Sequence, residues 1–84
     1  MATAELSSTP NPDALKFTLD VTLPAMINLS SAAEASTPFE RDIMAVPGVA
    51  NLFGVNDFVT VTRVPGTEWE PIIDAVHQAA KQHL

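Results

Sequence analysis

Hydrophobic and polar positions alternate with period two at Leu15, Phe17 and Leu19 against Lys16, Thr18 and Asp20, the signature of a half-buried strand. Pro24 interrupts the pattern. Ile27 and Leu29 then alternate with Met26 and Asn28 as a shorter strand, and Asp20 to Pro24 is read as the reversal between the two. Ser30 to Ser36 is rich in alanine and serine, a linker with room for one helical turn. At Thr37-Pro38-Phe39-Glu40 the period changes to that of a helix. Threonine caps, proline at the first helical position loses no needed donor, and glutamate three residues on reaches back. Phe39, Ile43 and Val46 share one face, and Pro47-Gly48 stops the helix.

Val49 to Val55 and Phe58 to Val64 are two β-rich runs joined at Asn56-Asp57, residues that tolerate the backbone of a tight hairpin turn. Phe53 and Phe58 flank this tip and are expected in the core. After Pro65-Gly66, Thr67-Glu68-Trp69-Glu70 reads as a second capping box. A helix comes next, with Trp69, Ile72, Ile73, Val76 and Ala80 on one stripe and Asp74, His77, Gln78 and Lys81 on the other.

The order is therefore ββαββα. It predicts an α+β two-layer sandwich, an antiparallel sheet of about four strands with two helices on one face. Residues 1–8 are expected as a flexible N-terminus and residues 9–84 as one domain, read as a natural stand-alone protein and a monomer.

Charge and composition narrow the chemistry. Ten acidic residues against four basic ones leave a net charge of −6, which disfavours nucleic acid and anionic lipid as partners. No apolar run approaches the roughly 20 residues of a membrane helix, and the N-terminus lacks the basic, apolar build of a signal peptide. No cysteine is present, which removes disulfides, thiolate metal sites and cysteine nucleophiles, and suits the cytoplasm. No nucleophile–base arrangement can be named, so no catalytic residue, metal ligand or cofactor is assigned and the chain is not expected to be an enzyme. Asp74 and His77, three apart on one helix face, leave open a second reading as a small-ligand or metal-binding protein.

Thr9-Pro10-Asn11-Pro12 followed by Leu15-Lys16-Phe17 resembles the T-P-N-P-N-x-L-K-F motif of the N-terminal domain of Nfu/NifU-type iron–sulfur scaffold proteins. The likeness is collinear to the end of the chain. Thr37-Pro38-Phe39 is similar to the family's S-P-L-A helix start, and Val46-Pro47-Gly48-Val49 to its I-x-G-V turn. Asp57 to Arg63 resembles its D-F-I-T-V-T-K strand, and Trp69 matches the tryptophan of its final helix. Three departures stand out. Asp13 replaces an asparagine, Phe53-Gly54-Val55 stands where F-F-G is usual, and the family's second domain, with Cys-x-x-Cys, is missing from these 84 residues.

In full-length relatives that second domain binds the cluster. The resemblance therefore implies an accessory, protein-interaction role in iron–sulfur cluster assembly or delivery, with scaffold or apo-target proteins as partners and no cluster ligated here. The proline pair stiffens the lead into the first strand, and its polar neighbours are rigidly presented. Thr9, Pro10, Asn11, Pro12, Asp13 and Lys16 are thus the candidate partner-binding residues.

Overall fold

Five strands and two helices make up the computed structural model, which describes residues 2–84. The strands are β1 (Ala4–Ser8), β2 (Ala14–Leu19), β3 (Ile27–Leu29), β4 (Val49–Val55) and β5 (Phe58–Arg63). The helices are α1 (Pro38–Met44) and α2 (Glu70–His83), with a single 3-10 turn at Ala32–Glu34. All pairings are antiparallel, in the order β1-β2-β5-β4-β3. The α+β architecture agrees with the sequence.

The sheet gains a strand from residues expected to be an unstructured lead. β1 pairs with β2 along its length, Ala4 opposite Leu19 and Ser8 opposite Leu15. Its start is pinned twice: Ala2 N–H donates to Ala80 O at 3.2 Å, and Thr3 N–H to Asp20 Oδ1 at 2.9 Å. The strand has no alternating apolar signal because it is an edge with most side chains in solvent. Backbone pairing places most of it, with only Ala2 and Ala4 at its start packed on the core.

A second difference lies in connectivity. β2 and β3 do not form a hairpin, because the β4–β5 hairpin is inserted between them. The segment 20–26 instead arches over the tip of that hairpin. Leu19 N–H donates to Asp57 O and Leu23 N–H to Asn56 O, both at 2.6 Å. Asn56 takes the left-handed conformation (φ 55°) that the tight turn requires. Beneath the arch, Gly54 permits a close approach: a Cβ there would lie 2.9 Å from Val59 Cγ1 and 3.0 Å from Leu23 Cδ1.

Side-chain alternation splits the sheet into two faces. Phe17, Leu52, Val59 and Val61 point to the helices and are fully buried, together with Ile43 of α1 and Ile72 and Val76 of α2. Val76, Ala79 and Ala80 give α2 its buried face, while Trp69 and Ile73 are only partly covered. Leu15 likewise packs on the rim of the core.

Thr37 caps α1 as expected, its Oγ1 accepting from Glu40 N–H at 3.2 Å. Glu40 Oε1 reaches one residue further back than expected, to Ser36 N–H at 3.0 Å. The second capping box does not form. α2 begins at Glu70, Trp69 takes the cap position without a side-chain bond, and Thr67 serves elsewhere. Its side chain fills the space beside Gly48, whose φ of 95° requires glycine and whose missing Cβ would overlap Thr67 Cγ2.

Candidate interaction surface

The proline-bearing stretch is the β1–β2 turn, and its polar side chains are spent on shaping it. Thr9 Oγ1 lies 2.9 Å from both Asn11 O and Ala14 O and accepts from Asn11 N–H at 3.2 Å. Asn11 Oδ1 accepts from Asp13 N–H at 2.9 Å, the Asx turn that asparagine favours. Asp13 then leaves the turn to meet β5: its Oδ1 accepts from Arg63 Nε at 3.1 Å and its carbonyl from Arg63 N–H at 2.8 Å. Arg63 also donates from Nη1 to Thr67 O at 2.8 Å and stacks its guanidinium 4.9 Å from the Trp69 ring centre. One arginine thus joins the turn, the end of β5 and the start of α2.

Of the six candidate residues, Thr9, Asn11 and Asp13 are consumed by this bracing. Pro10 and Pro12 remain exposed at the tip. Lys16 lies apart from them, on the sheet face that no helix covers. Its ammonium sits 4.5 Å from the centre of the Phe58 ring.

Phe58 and Phe53 belong to this open face and not to the core as the sequence suggested. Leu52, Gly54, Val59 and Val61 take the inward positions, so alternation sends the two phenylalanines outward. Their rings stand 6.4 Å apart and tilted by 48°, and Phe53 is 37% exposed. Threonines 18, 60 and 62 surround them on the same face by register. The parity of residues 52–61 carries the signal for this placement, against the general tendency of large aromatics to be buried.

The Asp74/His77 face does not assemble into a ligand site. His77 turns toward the sheet and meets Phe17 edge-on, ring centres 6.1 Å apart and planes at 88°. With Lys81 and residues 2–4 it lines a pocket of about 370 Å³ that Asp74 does not reach. Among the described residues, no three histidine, aspartate or glutamate side chains cluster as metal ligands would. His83, at the end of α2, pairs its Nε2 with Asp42 Oδ2 at 2.7 Å and so clasps the two helices. A contact spanning 41 residues carries no local sequence signal.

Among the described residues, no helix is long and apolar enough to cross a membrane. Glu34 has a lowered carboxyl pKa. Its Oε1 accepts from Ser30 N–H at 2.8 Å, from the Ser30 hydroxyl and from Ser31 N–H, bonds that hold its carboxyl below the usual range. This is a brace for the 3-10 turn.

Comparison with known proteins places the chain. A NifU-like protein of Schizosaccharomyces pombe is 31% identical over 81 residues, covering 90% of this chain and 31% of that protein. The mitochondrial NFU1 iron–sulfur cluster scaffold homolog of Drosophila erecta is 33% identical over 72 residues, covering 81% of this chain and 25% of that protein. The chain therefore spans only a quarter to a third of the length of these relatives. The crystal structure of protein SAV1430 from Staphylococcus aureus superposes with a TM-score of 0.79 at 26% identity, covering 92% of this chain and 96% of that one. Residues 4–84 match the family described as scaffold protein Nfu/NifU N terminal, and the chain belongs to that family.

Proposed function

We propose that this chain is an accessory, partner-binding domain of iron–sulfur cluster assembly or delivery that does not itself ligate the cluster. Membership of the Nfu/NifU N-terminal family supports the pathway. The observation that carries the accessory role is chemical. None of the 84 residues is a cysteine, the ligand on which iron–sulfur clusters chiefly depend, while the uncovered sheet face presents Phe53, Phe58 and Lys16. Aromatic rings with a cation beside them suit protein contact better than catalysis. A similar module, 26% identical, makes up 22% of the S. aureus protein named conserved virulence factor C, which fits a unit joined to different bodies.

In this reading Thr9, Asn11 and Asp13 hold the turn rigid, Pro10 and Pro12 offer its tip, and Lys16 with the two phenylalanines supplies the neighbouring contact. The domain acts as a monomer in the cytoplasm, on scaffold or apo-target proteins, and catalyses nothing. Anaerobic incubation with iron, sulfide and thiol tests the non-ligating part. The chain alone is expected to emerge without the visible absorption of a cluster; a stable coloured species would overturn it.

A further inference from the structure

A pocket of about 310 Å³ opens at the edge of the helical layer, between the 20–26 arch, the start of α1 and the end of α2. Its size is at the lower end for small-ligand sites, about 300–1,000 Å³. Leu23, Met26, Pro38 and Phe39 give it apolar walls, and Met26 is 65% exposed at the rim. The pocket lies away from the open sheet face, so its occupancy does not depend on the partner-binding role of Lys16, Phe53 and Phe58.

Glu40 also lines this pocket, and it is only 7% exposed. Its Oε1 is occupied by the Ser36 backbone N–H and, at 3.3 Å, the Ser36 hydroxyl. Its other oxygen, Oε2, receives no hydrogen bond from the described residues. Among those residues, no side-chain polar atom sealed from solvent lacks a partner, so Oε2 reaches open space, and the pocket is the cavity that Glu40 lines. That oxygen is open to the pocket, so a ligand there can bring a donor to it, and a charged donor makes the stronger bond.

The rest of the lining fixes the sign of that ligand. Among the described residues, no lysine or arginine borders the pocket. His83 does, but its Nε2 is already held by Asp42. The chain as a whole carries −6, which repels anions and draws cations. We infer that this pocket receives a lysine or arginine side chain of a protein segment, its stem against Met26, Pro38 and Phe39 and its charged head on Glu40 Oε2. Long basic side chains have this build, an apolar stem ending in donors.

The test uses the intact chain, isotope-labelled for NMR, and a short capped peptide with lysine between two leucines. Shifts are expected at Met26, Phe39 and Glu40. Binding should weaken at least about tenfold in Glu40→Gln, which keeps an oxygen for Ser36 but removes the charge. The same loss is expected when wild-type chain meets the peptide with its lysine acetylated, an arm that leaves the protein's folding untouched. The inference is overturned if the lysine peptide leaves these residues unmoved at about 1 mM. It is equally overturned if acetylation leaves the affinity unchanged.

Discussion

Asp13 and Arg63 stand 50 residues apart in the chain and meet at 3.1 Å, so that the proline turn is fastened to the end of β5. Both side chains are largely shielded, Arg63 at 22% exposure and Asp13 at 30%. A double-mutant cycle of Asp13→Asn and Arg63→Gln should return a coupling of about 0.5–1 kcal/mol in chemical denaturation, near the upper end for partly exposed pairs. Arg63→Ala alone should cost more, about 1–3 kcal/mol, because it also removes the bond to Thr67 O and the stacking on Trp69.

Phe17 is fully buried on β2, opposite Val59 of β5. Phe17→Ala should lower stability by about 3–5 kcal/mol. A domain of this size holds about 4–13 kcal/mol in all, so the loss is about a quarter of the total or more and should move the unfolding midpoint to clearly lower urea. Urea titration followed by circular dichroism measures this directly.

Thr37 caps α1 through its hydroxyl, which accepts from Glu40 N–H. Thr37→Ala should cost about 1 kcal/mol, while Thr37→Ser should be close to neutral, since only the hydroxyl is used. The same denaturant titration measures both.

Glu34 predicts a pH dependence with a definite sign. The Ser30 backbone N–H chiefly, then the Ser30 hydroxyl, and the Ser31 N–H, hold its carboxyl below the ordinary value in the folded chain, against a smaller opposing desolvation. The folded state therefore binds this proton less readily than the unfolded one. Its contribution is present at neutral pH and is lost as the pH falls through the ordinary carboxylate range, from about 5 down to the lowered folded value. Melting temperatures of the wild type and Glu34→Gln should differ slightly at neutral pH and converge on acidification. A gap that widens in acid would contradict this.

The parts of the fold that could be read from sequence are those with a strong local period or a bracketing signal. Leu15, Phe17 and Leu19 announced β2, Thr37-Pro38 and Pro47-Gly48 bounded α1, and Asn56-Asp57 marked the hairpin between adjacent β-rich runs. β1 escaped because an edge strand that meets the core only at its start needs no apolar alternation. The separation of β2 from β3 escaped because it depends on where a later hairpin inserts, a long-range competition that residues 20–24 do not record. The candidate surface was half legible. Pro10 and Pro12 lie exposed at the turn, whereas the polar residues between and beside them are internal braces. Phe53 and Phe58 could have been found by carrying the parity of Leu52 and Val59 one residue further.

The open face makes a prediction that separates binding from folding. Phe53→Ser should change stability by less than about 1 kcal/mol, because the ring is more than a third exposed and leaves the core untouched. Lys16→Ala should likewise be mild, losing a surface contact with Phe58 of about 0.5–1 kcal/mol. Both should nonetheless weaken partner binding.

The most direct test of the central claim is an NMR titration of the labelled chain with cysteine-bearing scaffold and apo-target proteins of iron–sulfur cluster assembly. The account predicts shifts that concentrate at Pro10-adjacent amides, Lys16, Phe53, Phe58 and Thr60, and that fade in Phe53→Ser. Silence toward every such protein, or shifts confined to the helical face, would contradict it.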